Sequence, residues 1–164
     1  MAAVGEIAGE TVKSSIALAI RSAFAVTSGT PPSTVYPVIY KEKIVQNMKK
    51  PCFFIWVMDV KVEKKMNNNY DLTFQMNVRH HPADDDESAY ETLMAIGLKL
   101  TEVLSAVFMP ISVKGIAANK KVKGTQTSYN ITDNVLQFYT TYALKAFNPQ
   151  EEVEKMEQLI INNL

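Results

Sequence analysis

Hydrophobic and polar positions alternate with two different periods along this chain, and the switches between them divide it into elements. Over residues 6–25, Val12, Ile16, Ala19, Ile20 and Ala23 recur on one face at helical spacing, while Lys13, Ser14, Arg21 and Ser22 lie off that stripe. Thr27-Ser28-Gly29-Thr30-Pro31-Pro32 ends this helix, because Gly and a Pro pair cannot continue it. Val35 to Tyr40 is a short β-rich run with Pro37 inside it, which makes it an edge strand or an irregular one. Pro51 opens the most apolar segment, Cys52 to Val62. Its first seven residues are apolar without a break, which predicts a central strand covered on both faces. From Val60 the pattern alternates with Lys61 and Glu63. Asn67-Asn68-Asn69 then forms a turn, and Tyr70 to Arg79 returns with Leu72, Phe74, Met76 and Val78 on one face. Two such runs around an Asn-rich tip predict an antiparallel hairpin.

Pro82 stops the second run, and the acidic stretch Asp84-Asp85-Asp86-Glu87 follows. Negative charge suits a helix N-terminus, and both Asp84 with Glu87 and Ser88 with Glu91 have capping-box spacing. The predicted helix carries Tyr90, Leu93, Met94, Gly97, Leu100, Leu104, Val107 and Phe108 as its stripe, and Pro110 terminates it. Residues 111–147 read as two or three strands. Thr132-Asp133-Asn134 is a turn, and Leu136, Phe138, Thr140, Tyr142 and Leu144 share a face beyond it. Asn148 as cap, Pro149 at the first position and Glu151 three residues after the cap predict a last helix over about 149–162, with a thin stripe of Val153, Met156 and Ile160.

Strands in runs rather than alternating with helices define an α+β protein. The expectation is a mixed, mainly antiparallel sheet of about 4–6 strands, packed by two main amphipathic helices and a short C-terminal one. With no internal repeat and no linker, residues 1–164 read as one domain with a peripheral C-terminal helix.

Composition narrows the function. The 164 residues hold 17 Lys+Arg against 17 Asp+Glu, so the net charge is zero, with 47% apolar residues. That argues against a general nucleic-acid binder, which is usually basic, and against disorder. The one cysteine, Cys52, excludes an intrachain disulfide. No stretch approaches the roughly 20 uncharged residues of a membrane span, because Arg21 interrupts the early apolar run. The expectation is a soluble intracellular product, or one released by lysis rather than by secretion, with no membrane partner.

No arrangement for catalysis stands out. His80 and His81 are adjacent on a strand and so point to opposite faces, which is poor geometry for holding one ion. The acidic run beside them lacks the spacing of a calcium loop. Cys52 sits in an apolar strand, where a thiol stays neutral. Phosphate-loop, dinucleotide, nucleophile-elbow and zinc-protease motifs are missing. The expectation is therefore no catalytic residue, no cofactor and no metal. What does stand out is charge segregation. Lys114, Lys120, Lys121 and Lys123 put four cations into ten residues, while Glu151, Glu152, Glu154 and Glu157 face only Lys155. Besides two solvated faces, this pattern fits complementarity between copies of the chain, with the four lysines as the candidate assembly interface.

Three stretches taken together resemble the tail terminator family of tailed bacteriophages. They are Lys49-Lys50-Pro51-Cys52-Phe53-Phe54-Ile55, then the strand from Tyr70 to Pro82, then the hairpin from Gly124 to Tyr142 with Asp133-Asn134-Val135-Leu136 at its turn. The Pro-Cys-Phe-Phe form is most similar to members from Gram-positive phages and phage-derived contractile particles. Met1 to Gly5 departs from the family pattern. The resemblance implies a structural virion protein, assembled in the host bacterial cytoplasm. It implies a hexameric ring that caps the tail tube, stops its polymerisation, holds the last sheath ring in a contractile tail and joins the head connector. Its partners would then be its own copies, tube protein, sheath protein and a neck protein, with DNA passing through the ring without sequence-specific contact. Another head-tail connector component, or a small α+β enzyme or ligand-binding domain using His80 or His81, are the alternative readings.

Overall fold

The computed structural model describes residues 4–41, 46–66, 69–83, 89–113 and 116–147. The first helix, α1, runs over Val4–Ala23. Two three-residue strands, β1 (Val26–Ser28) and β2 (Ser33–Val35), pair antiparallel around the Gly29–Pro32 segment, so the helix stop also builds a small hairpin. Next come β3 (Val38–Tyr40), β4 (Cys52–Lys64) and β5 (Asn69–His81). The second helix, α2, covers Ala89–Val103 and leads into β6 (Ala106–Val113), β7 (Ile116–Thr132) and β8 (Val135–Phe147). The six long-sheet strands lie in the order β3-β4-β5-β8-β7-β6. Only β3 with β4 is parallel, so the sheet is mixed and mainly antiparallel, and the α+β expectation holds.

Both helices bury their stripes against one face of this sheet. Val12, Ile16 and Ile20 of α1 and Leu93 and Leu100 of α2 join Leu72, Phe74, Met76, Val78, Leu136, Phe138 and Tyr142 in one core. The alternations read from β5 and β8 are thus correct to the residue. α1 packs on both β4 and β6, which stand second and sixth in the sheet order, so the sheet curls around this helix. α2 lies on β7 and β8, where the Tyr129 ring occupies the space a side chain at Gly97 would need.

Two devices keep the register. A β-bulge between Val57 and Asp59 adds Met58 to β4 without a partner on β5. Before it Phe53, Ile55 and Val57 face the core; after it Val60 does, opposite Phe74, while Val62, opposite Leu72, is on the same side but half exposed. The extra residue moves the apolar positions from odd to even numbers, because side chains alternate strictly along a strand. At the other end of the sheet, β7 serves two partners. Residues 116–123 pair with β6 and residues 124–132 pair with β8. The change of partner falls at Gly124, whose amide donates to the Ser105 carbonyl at 2.8 Å. A Cβ there would lie 2.7 Å from the Leu104 carbonyl oxygen, so only glycine fits this close approach. The Tyr142 hydroxyl donates to the same Leu104 carbonyl at 2.7 Å, which ties the end of α2 to β8. The β7–β8 turn places Asp133 and Asn134 at φ 53° and 58°, the left-handed pair of a type I′ hairpin.

Several expectations need correction. α2 ends at Val103, and Val107 and Phe108 belong to β6 rather than to the helix. Pro110 lies inside that strand instead of stopping the helix; β6 is an edge strand, where a missing N–H costs no ladder bond. Tyr90 and Phe108 are exposed, so the buried stripe reduces to Leu93, Gly97, Leu100 and Leu104. β4 is not central. It is second in the sheet, and β3 covers only its first three residues, Cys52 to Phe54. Cys52, Phe53, Phe54 and Ile55 are buried on both faces, as predicted, but Trp56 is 39% exposed and Met58 54%. The C-terminal helix and the acidic run of residues 84–87 lie outside the described residues.

Candidate functional site

Three features differ from an ordinary closed surface. The first is the outer edge of β4. Among the described residues no strand lies beyond it from Ile55 to Lys64, because β3 stops at Tyr40. This leaves a row of backbone donors and acceptors about ten residues long, with Trp56, Met58 and Val62 exposed along it. The bulge and the charged residues Asp59, Lys61 and Glu63 interrupt the row, which is how soluble proteins discourage unspecific pairing.

The second is the sheet face turned away from the helices. Here Trp56, Asn77, Arg79, Gln137 and Tyr139 lie side by side in the β4-β5-β8 register. Arg79 Nε donates to Asn77 Oδ1 at 2.9 Å, and its guanidinium lies 5.7 Å from the Trp56 ring centre. Asn77 is buried and donates to the Phe138 carbonyl at 3.3 Å, and the Tyr139 hydroxyl donates to Gln137 Oε1 at 2.7 Å. These bonds satisfy the polar side chains of this face.

The third is the flank of α1. Leu18 stands 65% exposed as a ridge between two grooves. One groove is lined by Glu10, Thr11, Ser14, Leu18, Phe108 and Pro110. The other is lined by Leu18, Arg21, Tyr36 and Pro37 among others, with the Arg21 guanidinium 4.2 Å above the Tyr36 ring. Lys13 pairs with Glu10, and Lys41 donates to Ser14 Oγ at 3.3 Å.

Of the lysines picked from the sequence, Lys121 lies beside Phe108, a wall of the first groove. Lys114 lies outside the described residues. Lys120, Lys121 and Lys123 are exposed on β7, in the half paired with β6. They do not share a face. Lys121 and Lys123 stand opposite Phe108 and Ala106 on the outward face, and Lys121 Nζ lies 5.8 Å from the Phe108 ring centre. Lys120 stands opposite Met109, in the row of the buried Val107 and Val122. The sequence reading missed Phe108, which is 64% exposed, because it counted this residue into the α2 stripe. Val107, Phe108 and Met109 are all apolar, so no alternation in the sequence marked this strand.

The groups with chemical potential sit elsewhere. His80 is 6% exposed on the core face, 4.5 Å from the Phe53 ring. Burial, reinforced by the charge of neighbouring His81, pushes its pKa down to about 4. Its Nδ1 has no hydrogen-bond partner among the described residues. His81 is on the opposite face against Phe54; burial, with Lys50 and Arg79 nearby, also lowers its pKa. The two rings cannot meet on one ion. Among the described residues no group of three or more His, Cys, Asp or Glu is placed to hold a metal. Cys52 is buried, and burial raises its thiol pKa against the opposing pull of Lys50. A buried thiol of raised pKa is a core residue rather than a nucleophile. No described helix is long and apolar enough to cross a membrane.

An open strand edge and exposed apolar side chains are features that another chain can pair with. Residues 13–154 match the family model of the phage tail terminator protein, and the chain belongs to that family. It is thereby a structural component of a phage tail, built to contact other tail components. No curated protein sequence matches it.

Proposed function

We propose that the chain is the tail terminator of its particle: a hexameric ring that caps the head-proximal end of the tail tube, stops its growth and presents the docking surface for the head connector. In a contractile tail the same ring would hold the last sheath ring. The observation that carries this reading is the family match over residues 13–154. The surfaces support it. A terminator needs one contact that copies use to close on each other and another that meets the tube. The open β4 edge and the lysines of the β6–β7 pair are different patches of the sheet, which suits a head-to-tail contact. Lys120, Lys121 and Lys123 are proposed to meet an acidic surface of a neighbouring copy or of the tube.

Mixing the purified chain with its tube protein tests this. Electron microscopy is expected to show shorter tubes with a ring at one end, and light scattering a hexamer alone or in the mixture. An unchanged tube length distribution, with the chain left in the supernatant after the tubes are pelleted, would overturn the reading. Replacing Lys120, Lys121 and Lys123 by Glu is expected to abolish capping while the circular dichroism spectrum is kept. Full capping by that variant would remove the lysines from the contact.

A further inference from the structure

The open edge of β4 carries a sequence that complements its own reversal. Met58, Asp59, Val60, Lys61 and Val62 stand in a row there, with Val60 half-buried and the others exposed. Read outward from Val60, one neighbour is an acid and the other a base, and the next residue on each side is apolar. Among the described residues no strand lies along this side, because β3 pairs only with Cys52, Phe53 and Phe54. The side chains of Asp59 and Lys61 have no ion pair or hydrogen bond among the described residues, whereas Lys65 holds the Glu63 carboxylate at 2.8 Å. Opposite charges thus stand uncommitted on either side of Val60, beside a row of backbone groups with no described strand partner.

Geometry limits how two copies can use such an edge. Two identical strands related by a two-fold axis across a sheet run antiparallel, and the residue at the axis faces its own copy. Residues directly opposite share one face of the joined sheet. Asp59 and Lys61 lie on the outward face, paired with Gln75 and Thr73 of β5, and Val60, paired with Phe74, lies on the other. An axis at Val60 therefore sets Asp59 of each copy opposite Lys61 of the other, on the same face. It also brings each exposed Met58 level with an exposed Val62. An axis at Asp59 or at Lys61 would set a charge against its own copy. An axis at Val62 would set Val60 against Lys64 and draw on Glu63, which Lys65 already holds. Charge complementarity thus selects the second copy as occupant and Val60 as the centre.

We propose that two copies of the free chain pair antiparallel along β4, with the two-fold axis at Val60 and reciprocal Asp59–Lys61 ion pairs on the outward face. The contact joins the two six-stranded sheets into one. Each edge is used up by the other, so the pair is closed and does not grow. The inference concerns the chain without tube protein and does not rest on the ring reading. Tube capping tests that reading and the mass of the free chain tests this one, so either can fail without the other.

Analytical ultracentrifugation of the full-length chain at low salt, with no tube protein present, tests it. The parent is expected to go from the mass of one chain to that of two as concentration rises. Asp59→Lys and Lys61→Asp each put like charges at both cross-strand positions, so either variant alone should pair roughly tenfold more weakly or worse. Mixed one to one, the same two variants regain opposite charges at both positions and should pair at about the parent's affinity. That rescue cannot come from misfolded chains, and circular dichroism checks each variant beforehand. The register has its own measurement. In a Cys52→Ala background, Val60→Cys should oxidise to a crosslinked dimer severalfold more than Val62→Cys, because residues directly opposite have Cα atoms about 4.5–5.5 Å apart. A parent that stays monomeric at every concentration would overturn the proposal, as would a larger assembly indifferent to both substitutions. So would folded variants that fail to pair when mixed, or a Val62→Cys yield equal to or above that of Val60→Cys.

Discussion

His80 shows what a single buried residue does to the pH behaviour of this fold. Its ring lies against Phe53 on the core face, and burial brings its pKa from 6.5 to about 4. The folded chain therefore holds the neutral form. Because the unfolded chain takes up the proton at higher pH, stability is fully present above about pH 6.5 and falls as the pH drops toward 4. The loss from this group amounts to about 3 kcal/mol at most, since each tenfold difference in proton affinity between the folded and unfolded chain is worth roughly 1.4 kcal/mol. Urea unfolding at pH 7.5 and pH 4.5 should show a smaller difference for His80→Leu than for the parent chain. A slope unchanged by the substitution would assign the acid sensitivity to other groups. Glycine gives a second prediction at this scale. A methyl at Gly124 would meet the Leu104 carbonyl at 2.7 Å and Thr140 Oγ1 at 2.8 Å, and a backbone carbonyl yields little. Gly124→Ala should cost about 2 kcal/mol or more by chemical denaturation. At Gly97 the neighbour is the Tyr129 ring, which can shift, so Gly97→Ala should cost less.

At the scale of the element, the bulge in β4 is one residue without a partner on β5. Deleting Met58 would close the ladder and leave Val60 and Val62 opposite Phe74 and Leu72, because Asp59 would then follow Val57 in strict alternation. The deletion should therefore keep both halves of the hairpin, from Cys52 to Val57 and from Asp59 to Thr73, protected in hydrogen exchange. Loss of protection in the half from Asp59 to Thr73 would show that the bulge itself is needed there. The strict alternations of β5 and β8 were legible in the sequence because one face is solvated and the period is unbroken. The bulge was legible only as a change of pattern after Met58. The end of α2 was not legible. Leu104 and Val107 continue the helical spacing, and nothing local announces that the chain leaves the helix at Val103 to form an edge strand. Pro110 made the error worse, since its place in a strand depends on that strand having an empty side, a property of the sheet and not of the segment. The candidate lysines were found from composition, but their division between two faces needed the β6–β7 register.

At the scale of the molecule, the charge balance of zero hides the exposed cations Lys120, Lys121 and Lys123 of β7. Capping of tubes should accordingly weaken as salt rises if Lys120, Lys121 and Lys123 carry the contact, because exposed charges are screened beyond about 10 Å at 0.1 M. Capping that holds unchanged from low to high salt would shift the contact to the open edge and its apolar side chains. The two edges of the sheet differ in a way that bears on growth. Among the described residues β4 has an empty strand position from Ile55 to Lys64, whereas β6 lies beside α1 and carries Pro110, which has no hydrogen to give. In the language of polymer chemistry, the first is a reactive end and the second a blunted one.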